Sequence, residues 1–239
     1  VFDQLQRRGQ IVVHATDVER VEALGEAGSS GSLVMADTRL AVADLNAAIR
    51  DRTNGVDAVA AELVTGGGEP IGLGDRVMTR RNDPHLRVAN RQTWIVTGAG
   101  TDGSLVLRSG TKEREVPAEY AAHFVELGYA TTVHGAQGDT VTHADVLIGE
   151  RTGAASAYVA MTRGRHTNRA HLVADSTDEA KRQWVAVFSR ERADLGPARA
   201  RRAAVDAVER YGSTVPKTRP RYGSTTPTGS GGPSPYGLT

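Results

Sequence analysis

The chain has 239 residues, 39% hydrophobic and 24% charged, with a formal net charge of +1, which suits a globular protein that can bury a sizeable core in one large domain or two small ones. So small a charge excludes a global field for polyanions, so any nucleic-acid surface has to be local, and the absence of cysteine excludes a disulfide framework and a thiolate metal site. No uncharged apolar run approaches the roughly 18 residues of a membrane span, and Val1-Phe-Asp-Gln carries neither a signal peptide nor a Met, which points to a piece of a longer cytoplasmic polypeptide.

The first 27 residues read as helix, strand (Gln10-Ile-Val-Val-His14) and helix from Asp17, with Asp17 as the N-cap. Ser32-Leu-Val-Met-Ala36 is an apolar strand. Asp37-Thr38 then leads into a helix from about Leu40 to Arg50, whose Val42, Leu45 and Ile49 recur at helical spacing. Asn46 and Arg50 are its polar members, either solvated or capping nearby backbone on their residue types alone. Gly66 to Gly74 is rich in breakers, and after it the period changes from helical to alternating. Asp75–Arg80, Arg91–Thr97, Ser104–Leu107 and Glu113–Val116 predict four short strands, and their density suggests a small barrel.

A helical return from Ala118 to Val125 leads into Tyr129-Ala-Thr-Thr-Val-His-Gly-Ala-Gln-Gly-Asp-Thr140, then a short buried strand, Ala144-Asp-Val-Leu-Ile-Gly149. A small-residue helix follows, ending in Ala157-Tyr-Val-Ala-Met-Thr-Arg-Gly-Arg165. Polar glycine-containing loops at the carboxyl ends of strands suit phosphates, and two arginines on a helix behind such a loop offer fixed, bidentate donors. Spacing alone leaves open a surface helix with two salt-bridged arginines. Tyr158 is expected to pack and orient that helix. Arg169–Ala174 predicts a further strand. Ser176-Thr-Asp-Glu opens a helix with Trp184, Val187 and Phe188 on one face, and residues 195–210 a second helix. From Tyr211 the Ser/Thr/Pro/Gly composition predicts a disordered tail.

The segment from Ala130 to Gly138 resembles motif V of superfamily 1 helicases in its RecD-like form (A-x-T-x-H-x-x-Q-G). Tyr158 to Arg165 resembles their motif VI (Y-V-A-x-T-R-x-R), and Asp37 to Arg50 resembles their motif IV region. The combination is most similar to the helicase part of TraA/TraI-type conjugative relaxases. The resemblance implies an α/β fold, a second RecA-like domain with an inserted SH3-like β module. Its parts would be residues 1–70 and 123–176 for the RecA-like domain, 71–122 for the module, 177–210 for C-terminal helices and 211–239 for the tail. The module's signature is matched by Gly74-Asp-Arg-Val, Asn82-Asp83 and Asn90. Arg91 replaces the Gly that follows, a residue that disfavours a tight positive-φ turn.

Arg163 would then be the arginine finger that stabilises charge on a transferring γ-phosphoryl group, supported by Arg165. Gln137, Gly138, Asp139 and Arg50 would line the ATP, with Asp139 at the ribose where the pattern often has Glu. Thr132, His134, Thr38 and Asn82 would touch single-stranded DNA; outside the motif, His134 alone would read as a structural histidine. No metal-ligand spacing occurs among the seven histidines, and no G-x-x-x-x-G-K-S/T occurs. The resemblance therefore implies half of a site for ATP with Mg²⁺, completed by an upstream RecA-like domain, and no activity for the chain alone. A RecD-like exonuclease subunit and a non-catalytic DNA-binding or docking module remain as other readings.

Overall fold

The structure is a computed structural model and describes residues 1–54, 63–64 and 68–189. The expected helix at 195–210, the tail at 211–239 and most of the glycine-rich boundary before Gly68 lie outside the described residues. In chain order the elements are α1 (Phe2–Arg7), β1 (Ile11–His14), α2 (Asp17–Ser29), β2 (Leu33–Ala36), α3 (Arg39–Asn54), β3 (Leu63–Val64) and β4 (Pro70–Ile71). Next come β5 (Arg76–Thr79), β6 (Thr93–Ala99), β7 (Leu105–Ser109), β8 (Lys112–Val116), α4 (Ala118–Phe124), β9 (Val125–Leu127) and β10 (Ala130–Thr132). The last are β11 (Val141–Leu147), α5 (Ala154–Ala160), β12 (Gly164–Val173) and α6 (Thr177–Ser189).

β1, β12, β11, β2 and β10 form a five-stranded sheet in that order, every neighbouring pair parallel. A parallel sheet needs cover on both faces; β2 is apolar throughout, while β11 and β12 turn apolar and buried toward their carboxyl ends. On one face Leu24 of α2 and Leu45 and Ile49 of α3 are fully buried with Val34 and Ala36. On the other, Phe2, the alanines of α5 and Trp184 and Val187 of α6 pack on Met35, Ala144, Val146 and Leu172. Phe188, expected on that face, is exposed, although its ring tilts against Trp184 at 5.1 Å.

Two helix starts show how caps set boundaries. α2 is capped by Thr16, not Asp17: the Thr16 hydroxyl accepts from Glu19 N, which leaves Asp17 in the first turn where its charge suits the helix dipole. α6 has its Ser176 cap, and Glu179 reaches back to Asp175 N.

β8, β7, β6, β5 and β9 form a second five-stranded sheet, antiparallel throughout and built around Val77, Trp94, Val96, Leu105 and Leu107. Its outer strands β8 and β9 share no ladder among the described residues, so the expected barrel is an open sheet here. Its buried residues belong to the same cluster as Leu45 and Ile49 of α3.

A polar knot reinforces that shared core. Asp75 is fully buried; its Oδ2 accepts from Arg50 Nε at 2.9 Å and Gly72 N at 2.7 Å, and its Oδ1 accepts from Tyr129 OH at 2.9 Å. Asn46, one turn earlier on α3, donates to Leu127 O and accepts from Ala130 N at 2.7 Å. The polar residues of α3 thus hold both chain crossings between the sheets. Arg50, expected at the nucleotide, has its guanidinium engaged by the buried carboxylate that precedes β5.

Arg91 also departs from expectation. It adopts φ +67 without being glycine, and its N–H donates to Thr79 O at 2.6 Å. The turn keeps its left-handed geometry because the backbone bond into β5 demands it.

Candidate functional site

The parallel sheet has two ends, and residues 133–140 run between them. They leave the carboxyl end of β10 and arrive at the amino end of β11, since β10, β2 and β11 all point the same way. The descent is a series of tight turns. Thr132 Oγ1 accepts from Gly135 N, Thr132 O accepts from Ala136 N, and Ala136 O accepts from Asp139 N. Gly135 has no room for a side chain, because a Cβ there would lie 2.4 Å from Thr131 Oγ1 and 2.9 Å from Thr132 O. Gly138 sits at φ +97, in open space.

At the amino end this turn meets the segment after α5. Arg163 donates from Nε to Val159 O at 2.9 Å, from Nη2 to Thr162 Oγ1 at 3.1 Å and from Nη1 to Asp139 O at 3.2 Å. Val141 N donates to Arg163 O, which ties the two segments a second time. The expected motifs are therefore in direct contact, but not on the elements expected. α5 ends at Ala160, so Arg163 lies in the turn beyond it and Arg165 on β12, which begins at Gly164 rather than Arg169. The Asp139–Arg163 contact also stands at the amino ends of β11 and β12, not at carboxyl ends. Tyr158 is 67% exposed: α5 buries Ala157 and Ala160, and a position one residue on from Ala157 points away from the sheet.

Gln137, Gly138, Asp139, Arg163 and Arg165 are thereby gathered at one end. Thr38 and Thr132 stand together at the other, at the carboxyl ends of paired β2 and β10, and Thr38 caps α3 through Ala41 N. His134 is exposed on the α5 side of the turn, in a depression it shares with Gln137, Ala155 and Ser156. Asn82 is not part of this group. Its Oδ1 accepts from Asn90 N at 2.7 Å and closes the β5–β6 connection.

Sequence reasoning missed a buried chain of ionisable groups across β11, β12 and β1. Asp145 is fully buried and accepts from Arg169 Nε at 2.7 Å and from His171 Nε2 at 2.9 Å. A carboxylate can only accept, so His171 Nε2 carries its proton and Nδ1 faces His14 Nε2 at 3.0 Å, with the two rings stacked. The signal was available: His143 and Asp145, like Arg169 and His171, alternate along their strands and so share one face. Burial would raise the Asp145 carboxyl, but the hydrogen bonds and charges of His171 and Arg169 outweigh it and hold it below the usual range. Burial, followed by His171 and Arg20, pushes the His14 imidazole below its ordinary range.

These directions set a pH dependence. The unfolded chain takes up the His14 proton at about pH 6.5, before the folded chain does. Stability from His14 is complete above that pH and declines as the pH falls toward the folded value. Asp145 adds a second loss below about pH 4, as acid reaches its lowered folded value. Tm is expected to fall between about pH 7.5 and 5.5, and His14→Gln is expected to flatten that part of the profile. An unchanged slope in the variant would remove His14 as its source.

Among the described residues, no group of three or more His, Asp or Glu side chains could hold a metal ion, and no helix is long and apolar enough to cross a membrane.

The fold is similar to part of a solved Pif1 structure. It matches a Bacteroides Pif1 solved bound to ssDNA with a TM-score of 0.50 at 16% identity, over 82% of this chain and 50% of that one. By sequence, the multifunctional conjugation protein TraI of Escherichia coli K12 is 36% identical over 101 residues, 39% of this chain and 6% of TraI. Uncharacterized protein Rv2311 of Mycobacterium tuberculosis is 33% identical over 98 residues, 40% of this chain and 56% of that protein. The chain thus matches only a part of each relative's length. No family model matches it.

Proposed function

We propose that this chain is the second motor domain of an ATP-dependent, 5′-to-3′ DNA helicase of the conjugative relaxase type, with Arg163 as its arginine finger. The observation that carries the proposal is the setting of that guanidinium. It is fixed across the two motifs by three bonds, all to neutral oxygens. Among the described residues it forms no ion pair with a carboxylate. A positioned cation with uncancelled charge suits an anion arriving from outside the domain.

Gln137, Gly138 and Asp139 beside it, with Arg165 on the next strand, would line the nucleotide. The chain has no lysine and hydroxyl pair of the phosphate-loop kind. The phosphates and Mg²⁺ would therefore be held mainly by an upstream RecA-like domain of the same polypeptide. When bound, ATP supplies the phosphoryl transfer; this chain's residues fix the charge that stabilises it. Thr38 and Thr132 at the opposite end, with His134 in the turn that leaves it, would hold the phosphates of single-stranded DNA, with an affinity that falls as salt rises. Similarity to a conjugation protein supports this branch over a RecD-like exonuclease subunit.

The half-site reading is tested on the chain itself. With Mg²⁺ and oligo(dT) it is expected to bind the strand in low salt and to turn over no ATP above background. Turnover would mean that these residues contain a complete site.

A further inference from the structure

Beside the turn at 135–139 a groove of about 640 Å³ lies between the two sheets. One wall is the outer face of the second sheet. Met78 and Thr93 are cross-strand partners there, and Arg76 stands two residues from Met78 along β5, so all three share that face. The other wall is the free edge of β10 with Gly135, Gln137, Gly138 and Asp139. Asn90 and Arg91 stand at the start of β6. Asp139 joins the groove to Arg163, whose Nη1 it accepts.

The charges in the lining are two guanidiniums, Arg76 and Arg91, against the single carboxylate of Asp139. Both arginines are exposed, and among the described residues neither side chain forms an ion pair or a hydrogen bond. Arg91 is the telling one. Its backbone holds a left-handed conformation that glycine adopts freely and an L side chain resists, and its only described hydrogen bond is made by its main chain. The turn would be easier without the side chain, so packing does not account for a guanidinium there.

We propose that Arg91 and Arg76 together bind a phosphate group in this groove. Guanidinium forks match phosphate oxygens in pairs, and the Thr93 hydroxyl and Asn90 amide in the same lining can donate further bonds. The phosphate can belong to a free polyphosphate or to the backbone of a single strand. The proposal rests on the groove and does not depend on Arg163 being a finger.

The test titrates the whole 239-residue chain at low salt with two probes, pyrophosphate by calorimetry and oligo(dT) by fluorescence anisotropy. The variants are Arg91→Gly, Arg76→Gln and Arg163→Ala. Arg91→Gly removes the guanidinium while relieving the backbone, so its Tm is expected to hold or rise. Each groove variant is expected to weaken at least one probe by about tenfold. A response to pyrophosphate identifies a free phosphate seat; a response to oligo(dT) alone identifies a strand phosphate. Wild-type affinity for both probes in Arg91→Gly and Arg76→Gln overturns the proposal, as does failure of both probes to bind the unaltered chain. Arg163→Ala reads the finger assignment separately, so a loss confined to that variant sinks the groove and leaves the finger standing.

Discussion

Replacing Arg163 with alanine in the full-length protein is expected to lower DNA-stimulated ATP hydrolysis by about 10³- to 10⁵-fold, the range that arginine fingers supply. Single-strand binding is expected to stay nearly intact, because Thr38 and Thr132, proposed to hold the strand, lie at the opposite end of the sheet. The fold should also tolerate the change. Arg163 is half-buried, and its bonds join neighbours that Val141 N also holds to Arg163 O, a main-chain link that alanine keeps. Arg163→Lys is the informative companion. A lysine keeps the charge but lacks the planar fork that reaches Val159 O, Thr162 Oγ1 and Asp139 O together, so its activity should fall close to that of the alanine variant. Unchanged turnover in Arg163→Ala would sink the finger assignment.

The second large effect concerns stability. Asp75→Ala is expected to destabilise the chain by about 3–5 kcal/mol, as breaking a buried ion pair from one side does. The Arg50 side chain is only 12% exposed, and without Asp75 its guanidinium would lose the buried carboxylate that faces Nε. The Tyr129 hydroxyl and Gly72 N would lose their acceptor as well. Tyr129→Phe removes a single neutral donor and should cost about 1 kcal/mol. Pairing Asp75→Ala with Arg50→Met should recover part of the loss, since the buried guanidinium is then removed together with its carboxylate. Urea denaturation followed by circular dichroism measures all three. A loss below about 1 kcal/mol for Asp75→Ala would show that the knot does not hold the two sheets together.

Much of this was legible in the residues because it rests on local pattern. The segments Ser32–Ala36 and Ala144–Gly149 read as strands of the core, and alternation from Asp75 to Val116 exposed the second sheet. Motifs V and VI were read as neighbours, and the Arg163–Asp139 bond brings them together. What escaped depends on partners far away in sequence. Arg50 looked like a ligand residue because nothing near it in the chain announces Asp75, whose carboxylate claims it. Asn82, expected at single-stranded DNA, has its Oδ1 taken up by Asn90 N across the β5–β6 connection. Tyr158 was misjudged by type, since a large ring on a helix of alanines invites packing while its angular position forbids it. The Asp145–His171–His14 chain was visible only as alternation within strands that are not adjacent in sequence. Arg91 shows the converse, a side chain at odds with the turn that holds it.

The route of residues 133–140 carries one more implication. This single piece of chain has its two ends at opposite ends of the parallel sheet, and near its start Gly135 is wedged against Thr131 and Thr132. Gly135→Ala would therefore have to displace Thr131 and Thr132, so a change made within the turn that leads to Asp139 is felt at the carboxyl end of β10.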